Sequence, residues 1–193
     1  ELDEVVVKST RSTRTIRNIP TRLEFIGGEE LEEKAIMNAP NISMVLREST
    51  GIQIQQTSLS SGNRSIRIQG LDGRYTQLLK DGFPLYGGFS GGLSIMQIPP
   101  LDLAQFEIIK GSSSTLYGGG AIAGLVNMVS KRPDKDPEVN ILLSQTHTGG
   151  STGNVFYSKR KEKIGFTLYG AAHYNSAYNP DDDNFTNIPF TKS

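Results

Sequence analysis

Four groups of residues in this chain have the types and spacing that could do chemistry. Gly118-Gly119-Gly120-Ala121-Ile122-Ala123 fits G-x-G-x-x-A, the glycine turn that lets a backbone approach a dinucleotide pyrophosphate. That turn has to open a helix whose N-terminus holds the phosphate, and the next segment, LVNMVSK, reads as a strand with no capping residue. Lys110-Gly111-Ser112 carries its lysine on the wrong side of the glycine for a phosphate loop, where Gly-Lys-Ser/Thr is required. His147 and His173 fall on expected strands and lack the helical His partner or Cys neighbour of a metal site. Asp181-Asp182-Asp183-Asn184 lacks the glycine and distal glutamate of a calcium hand and reads as a solvated loop. Asp72, Asp81 and Asp102 sit beside turns, where aspartate serves the backbone. No catalytic constellation, metal site or cofactor is therefore expected.

Two loops point instead to binding. Thr57 to Asn63 and Tyr86 to Ser94 are Ser/Gly-rich, with Tyr86 and Phe89 in the second. Such loops suit adaptable ligand contact when a rigid scaffold carries them, and they equally suit plain connection.

The elements that must position these loops follow from periodicity. Residues 1–22 open on an acidic then β-branched hexapeptide and continue as a Ser/Thr/Arg tract without period, an extended or disordered arm. Leu23 to Ile26 is a short strand candidate, and EELEEKAIM a short helix. Asn41 can cap a second helix with Ile42, Val45 and Leu46 on one face, stopped by Gly51. From Ile52 the period changes to two, in IQIQ and again in SIRIQG. GLDG is turn chemistry before the strand YTQLLKDGFPL, and IPPLDLAQFEIIKG reads as a helical turn and a further strand. LVNMVSK completes an α/β unit of four or five strands over residues 23–132. From Pro137 the pattern becomes VNILLSQTH, a GGSTG turn, NVFYSKR, the turn KEK, and IGFTLYGAAHYNSAY: consecutive antiparallel strands, with a loop-like acidic end.

Composition limits the function classes. The 193 residues hold 20 Lys+Arg against 20 Asp+Glu and no cysteine, so the basic surplus of a general nucleic-acid binder is missing. Disulfide scaffolds and thiol chemistry are also excluded. Hydrophobic content is 36% and glycine 21 of 193, above the usual ~7%, which favours turns and β structure. No apolar run approaches the ~18 residues of a spanning helix, whereas the alternating strands of a membrane β-barrel leave no such run. No basic-then-apolar leader opens at Glu1, so the expectation is a cytosolic chain or an exported one already relieved of its signal.

Several segments resemble one family, the TonB-dependent outer-membrane receptors. Leu2-Asp3-Glu4-Val5-Val6-Val7 is similar to the energy-coupling box of Bacteroidetes-type members, FEIIKGSSSTLYGGGAIAGLVNMVSKRP (Phe106 to Pro133) to the plug signature, and RIQGLDGRYTQLLKDGFPL to its central hairpin. The resemblance implies an α+β plug domain, a mixed four- to five-stranded sheet with short helices, followed by the first antiparallel strands of a transmembrane β-barrel. It further implies box and periplasmic tether at 1–22, plug at 23–133, and about three strands of an incomplete barrel at 134–193.

The resemblance assigns TonB binding to Asp3, Glu4, Val5, Val6 and Val7, with the C-terminal domain of TonB in the periplasm as partner. A β-prone segment on a polar tether is suited to adding a strand to a partner sheet. It assigns nutrient binding to the apical loops: Ser58, Leu59, Ser60, Ser61, Gly62 and Asn63, then Tyr86, Gly87, Gly88, Phe89 and Ser90. The implied function is import of a scarce nutrient, a ferric siderophore, haem or cobalamin, across the bacterial outer membrane, with no covalent chemistry and no nucleic-acid partner. RSTRTIRNIPTRLEFI is more similar to these importers than to the glycan-importing branch, which stays an alternative beside a stand-alone ligand-binding module. Glycines 118–120 would be a tight segment against the barrel wall, with Gly119 at positive φ. Only about 56 residues follow Pro137, and the smallest membrane barrels need about eight strands, so the chain is expected to be a fragment of a longer receptor.

Overall fold

The computed structural model describes residues 6–7, 14–15, 23–28, 30, 31, 33, 43–47, 49–56, 64–85, 91–92, 100–112, 117–147, 149–176 and 191–192. The chain divides into two compact units, Glu1–Lys131 and Arg132–Ser193. Described elements of the first unit are β1 (Val6–Val7), β2 (Arg14–Thr15), β3 (Leu23–Gly27), helix α1 (Ser43–Arg47), β4 (Ile52–Gln56), β5 (Arg64–Ile68), β6 (Thr76–Lys80), β7 (Phe83–Pro84), β8 (Gly91–Gly92), β9 (Leu103–Lys110) and β10 (Gly124–Ser130). They form a β1-β2 pair, a five-stranded sheet in the order β3-β9-β10-β6-β7, and a three-stranded sheet β4-β5-β8. The larger sheet is mixed, because β10 runs parallel to β6 and antiparallel to β9.

Alternation along the strands decides which side chains meet. Ile26, Phe106, Ile108, Val126, Met128 and Leu78 share the face that packs against Val45 and Leu46 of α1 and Ile52, Ile66 and Ile68 of the smaller sheet. Each fully buried aliphatic side chain there contributes about 1.5–3 kcal/mol. The opposite face carries a smaller cluster of Leu79, Ile109 and Leu125. Strand β9 is buried on both faces from Phe106 to Lys110, which explains why FEIIK reads as a near-continuous apolar run.

The second unit holds β11 (Glu138–Gln145), β12 (Gly150–Lys161), β13 (Ile164–Asn175) and β14 (Thr191–Lys192), each antiparallel to the next. The whole is the α+β arrangement followed by consecutive antiparallel strands that the sequence implied.

Several local readings are corrected. YTQLLKDGFPL is not one strand: Asp81 and Gly82 adopt φ values of 53° and 83°, so the chain reverses into the β6-β7 hairpin. Aspartate tolerates that left-handed geometry and glycine is free in it. GGSTG is not a turn, since Gly150 to Gly153 belong to β12 and the reversal is confined to Thr146–Gly149, closed by Thr146 N–H donating to Gly150 O at 2.8 Å. His147 accordingly lies in that turn and not on a strand. The end of the chain, expected as loop, contributes β14, which pairs with Tyr174 and Asn175. The glycine cluster also changes meaning. Gly118 has φ +79°, Gly119 is not at positive φ, and a Cβ on Gly119 would meet nothing within 4 Å. The constrained position is Gly124, at φ +149°, where a Cβ would fall 2.2 Å from the Ile109 carbonyl oxygen.

Candidate functional site

Of the residues assigned to the energy-coupling box, Asp3, Glu4 and Val5 lie outside the described residues. Val6 and Val7 form β1, paired antiparallel with β2 through Val6↔Thr15 and Val7↔Arg14. The β-branched pair thus does adopt strand geometry, but the arm expected to be extended folds back on itself at this point.

The eleven candidate ligand residues, Ser58 to Asn63 and Tyr86 to Ser90, lie outside the described residues. Their stems do not. The first loop leaves β4 at Gln56 and returns at Arg64 of β5, in a ladder whose last pair is Gln56↔Arg64. The second leaves the β6-β7 hairpin and returns at β8, whose Gly91 and Gly92 pair with Ser65 and Arg64. The first loop thus returns at Arg64, and the second returns at a strand that lies beside Arg64 and Ser65, while its other stem, β7, belongs to the larger sheet.

A buried ionic cluster lies at the other end of β4, where the chain enters it. Lys110 on β9 and Glu24 on β3 share the core face, because Glu24 pairs with Ile108. The Lys110 ammonium donates to Glu24 Oε2 and to the Thr50 carbonyl, and the Ser49 hydroxyl donates to Glu24 Oε1 at 2.5 Å. The lysine side chain is 4% exposed and the glutamate 32%. A buried charge of this kind persists only when paired and hydrogen-bonded. On the other face Glu107, fully buried, accepts from Gln105 Nε2 at 2.8 Å and Asn127 Nδ2 at 3.0 Å. Asn127 Oδ1 in turn accepts from Gly82 N–H at 2.9 Å, tying the hairpin turn to the sheet. Neither cluster was singled out from sequence. The signal available was two charged residues inside the apolar strand FEIIK.

Asp72 caps the Gly73–Tyr75 turn. Its carboxyl is held below the usual carboxylate range, first by the Arg74 backbone N–H and then by the Arg74 guanidinium. Among the described residues no group of three His, Asp or Glu side chains could hold a metal. The Gly118–Ala123 turn leads into β10 instead of a helix, so the helix N-terminus a nucleotide needs is missing at this point. His173 contacts Thr152 Oγ1 through Nδ1 at 2.8 Å.

The second unit separates its faces. Val139, Ile141, Leu143, Val155, Phe166 and Leu168 are exposed on one side, and Leu143 is 78% exposed. Asn140, Asn154, Thr152, Ser158 and Tyr169 lie on the other by register, with Asn154 Oδ1 accepting from Tyr169 at 2.8 Å. An apolar exposed face on one side and a polar one on the other is the wall pattern of a membrane barrel. No described helix is long and apolar enough to cross a membrane.

The chain thus joins a mixed-sheet α+β unit to consecutive antiparallel strands with one apolar exposed face and one polar face. Comparison with known proteins agrees. The family described as "TonB-dependent Receptor Plug Domain" matches residues 15–125. The chain is 30% identical over 128 residues to the vitamin B12 transporter BtuB of Vibrio vulnificus, covering 66% of this chain and 20% of that protein. It is 24% identical over 193 residues to the vitamin B12 transporter BtuB of Photobacterium profundum, covering 96% of this chain and 31% of that protein. The crystal structure of the ferric-catecholate import receptor Fiu from E. coli K12 shares its fold at a TM-score of 0.69 and 18% identity, over 91% of this chain and 24% of that one. This chain belongs to the TonB-dependent receptor plug domain family. It spans between a fifth and a third of the length of the curated relatives it matches.

Proposed function

We propose that the chain is the plug and N-terminal barrel part of an energy-coupled outer-membrane receptor that imports a scarce nutrient through TonB. Membership of the plug family over residues 15–125 carries this reading, and the barrel-wall pattern of β11 to β13 supports it. In this reading residues 1–22 are box and tether, 23–133 the plug, and 134–193 the opening strands of a barrel completed by further chain. Asp3 to Val7 would add a strand to the C-terminal domain of TonB in the periplasm. Residues 58–63 and 86–90 would hold the ligand, and the placing of one stem of each beside Arg64 supports that. The ligand class is a cobalamin, haem or ferric siderophore. Two relatives bear the name vitamin B12 transporter and a structural neighbour is a ferric-catecholate import receptor. These relatives come from Vibrio and Photobacterium, and the Bacteroidetes-type form of the box rests on Leu2 to Val7 alone.

Calorimetric titration of the full-length receptor with the TonB C-terminal domain, with and without residues 1–7, tests the reading. Binding that disappears with the box is the expected result. Equal binding by both forms, or none by a folded intact receptor, refutes the coupling role of the arm.

A further inference from the structure

Among the described strands β3 stands at one end of the five-stranded sheet. β3 is the first of its strands in the chain, directly follows residues 1–22, and among the described strands has β9 as its one neighbour in the sheet. Its ladder runs from Leu23↔Ile109 to Gly27↔Gln105, so among the described pairs of this sheet a pull arriving through Leu23 loads the Leu23 pair first and the Glu24 pair next. Backbone hydrogen bonds that are loaded one after another yield one at a time. A side-chain cluster at the second pair is different, because all its bonds must be broken before the strand can move further.

That cluster is the ionic one. Through Glu24 it reaches β3, through Lys110 the far end of β9, and through Ser49 and Thr50 the turn between α1 and β4. Removing Glu24 from its place leaves the Lys110 ammonium, 4% exposed, without its carboxylate in a low-dielectric setting, which is costly. We propose that Glu24, Lys110, Ser49 and Thr50 form a clasp that sets the force at which β3 leaves the sheet when the arm is pulled. Glu24 acts here as a positioning residue and touches no ligand. The inference rests on the proposed function insofar as the arm is what TonB pulls. The clasp also makes a directional prediction of its own: it resists load entering at Leu23 and is nearly irrelevant to load entering elsewhere.

The test uses the full-length receptor in lipid vesicles, pulled singly from a Lys8→Cys handle or from a Leu71→Cys handle on the exposed turn before Asp72. Glu24→Gln keeps the side-chain size and removes the charge. It is expected to lower the force of the first event from the residue-8 handle and leave the residue-71 events unchanged. Amide exchange at residues 24–27 should rise about tenfold, the lower end of what losing a charge-assisted hydrogen bond allows given the part-exposed glutamate. Asp81→Asn, a neutralisation at the opposite edge of the sheet, should change none of these readings. If Glu24→Gln does not assemble, Ser49→Ala removes one bond to Glu24 and keeps the ion pair, with a smaller shift in the same direction expected. A folded Glu24→Gln or Ser49→Ala receptor with wild-type first-event force overturns the clasp. So does a drop that is equal from both handles, which would mean general destabilisation. Failure of the arm reading shows separately, as TonB binding that survives removal of residues 1–7.

Discussion

Replacing Gly124 by alanine should be among the most damaging single-methyl additions in the plug. At this residue β10 begins, pressed against the end of β9, with φ at +149°. An added Cβ would sit 2.2 Å from the Ile109 carbonyl oxygen and 3.2 Å from Ile68 Cδ1. The first neighbour is backbone and cannot rotate away, so either β9 or β10 must shift and the Gly124↔Lys110 pair must open. Backbone strain in that glycine-favoured region costs about 1–3 kcal/mol, and overpacking a filled core adds about 1–3 kcal/mol. The sum, about 2–6 kcal/mol, is a large part of the ~5–15 kcal/mol stability of a domain. Gly119→Ala is the matched control: its Cβ meets nothing within 4 Å and its φ is not positive, so a change within about 0.5 kcal/mol is expected. Native-state hydrogen exchange on the full-length receptor reads both. Protection at residues 107–110 and 124–127 should fall by more than about 30-fold in Gly124→Ala, the equivalent of about 2 kcal/mol, and stay at wild type in Gly119→Ala. Equal protection in the two variants would refute the reasoning.

Three other outcomes are expected. Deleting Asp3 to Val7 from the full-length receptor should abolish energised uptake and leave surface binding of the nutrient intact; loss of binding instead would make the arm structural. Leu168→Lys, on the exposed face of β13 and 66% exposed, should impair membrane assembly by about 2–4 kcal/mol if that face meets hydrocarbon, seen as loss of the heat-modifiable folded band on a gel; unimpaired assembly would place the face in water. Asp72 has its carboxyl pKa lowered from 3.8. Its contribution is therefore complete above the unfolded value and is lost as pH falls through the lower folded one. Exchange at residues 73–76 should accelerate below pH about 4, and in Asp72→Asn that step should be absent.

Strand identity and face were readable where period two dominates. Ile52/Ile54 against Gln53/Gln55, and Ile164/Phe166/Leu168 against Gly165/Thr167/Tyr169, needed no partner to be interpreted. Turns were harder. In YTQLLKDGFPL the Asp81-Gly82 reversal is written in two residues inside a hydrophobic run, and GSTG resembles a turn although the barrel-type ladder extends through it. Glycines were hardest of all, since a sequence does not say which member of a cluster meets a neighbouring carbonyl. Gly119 looked special and stands in open space, whereas Gly124, an ordinary strand start by pattern, is held against Ile109.

By itself the sequence determined the class of elements, the absence of thiol chemistry, and the family, because hydrophobic period, composition and short signatures are local properties of a chain. Only the tertiary structure decided that Lys110 is paired with Glu24 across 86 positions, that β8, where the second candidate loop returns, lies beside Arg64, where the first returns, and that β3 stands at the end of its sheet among the described strands. These are facts of strand order and register, and register is chosen by which side chains can be buried together, a condition that no single segment satisfies alone.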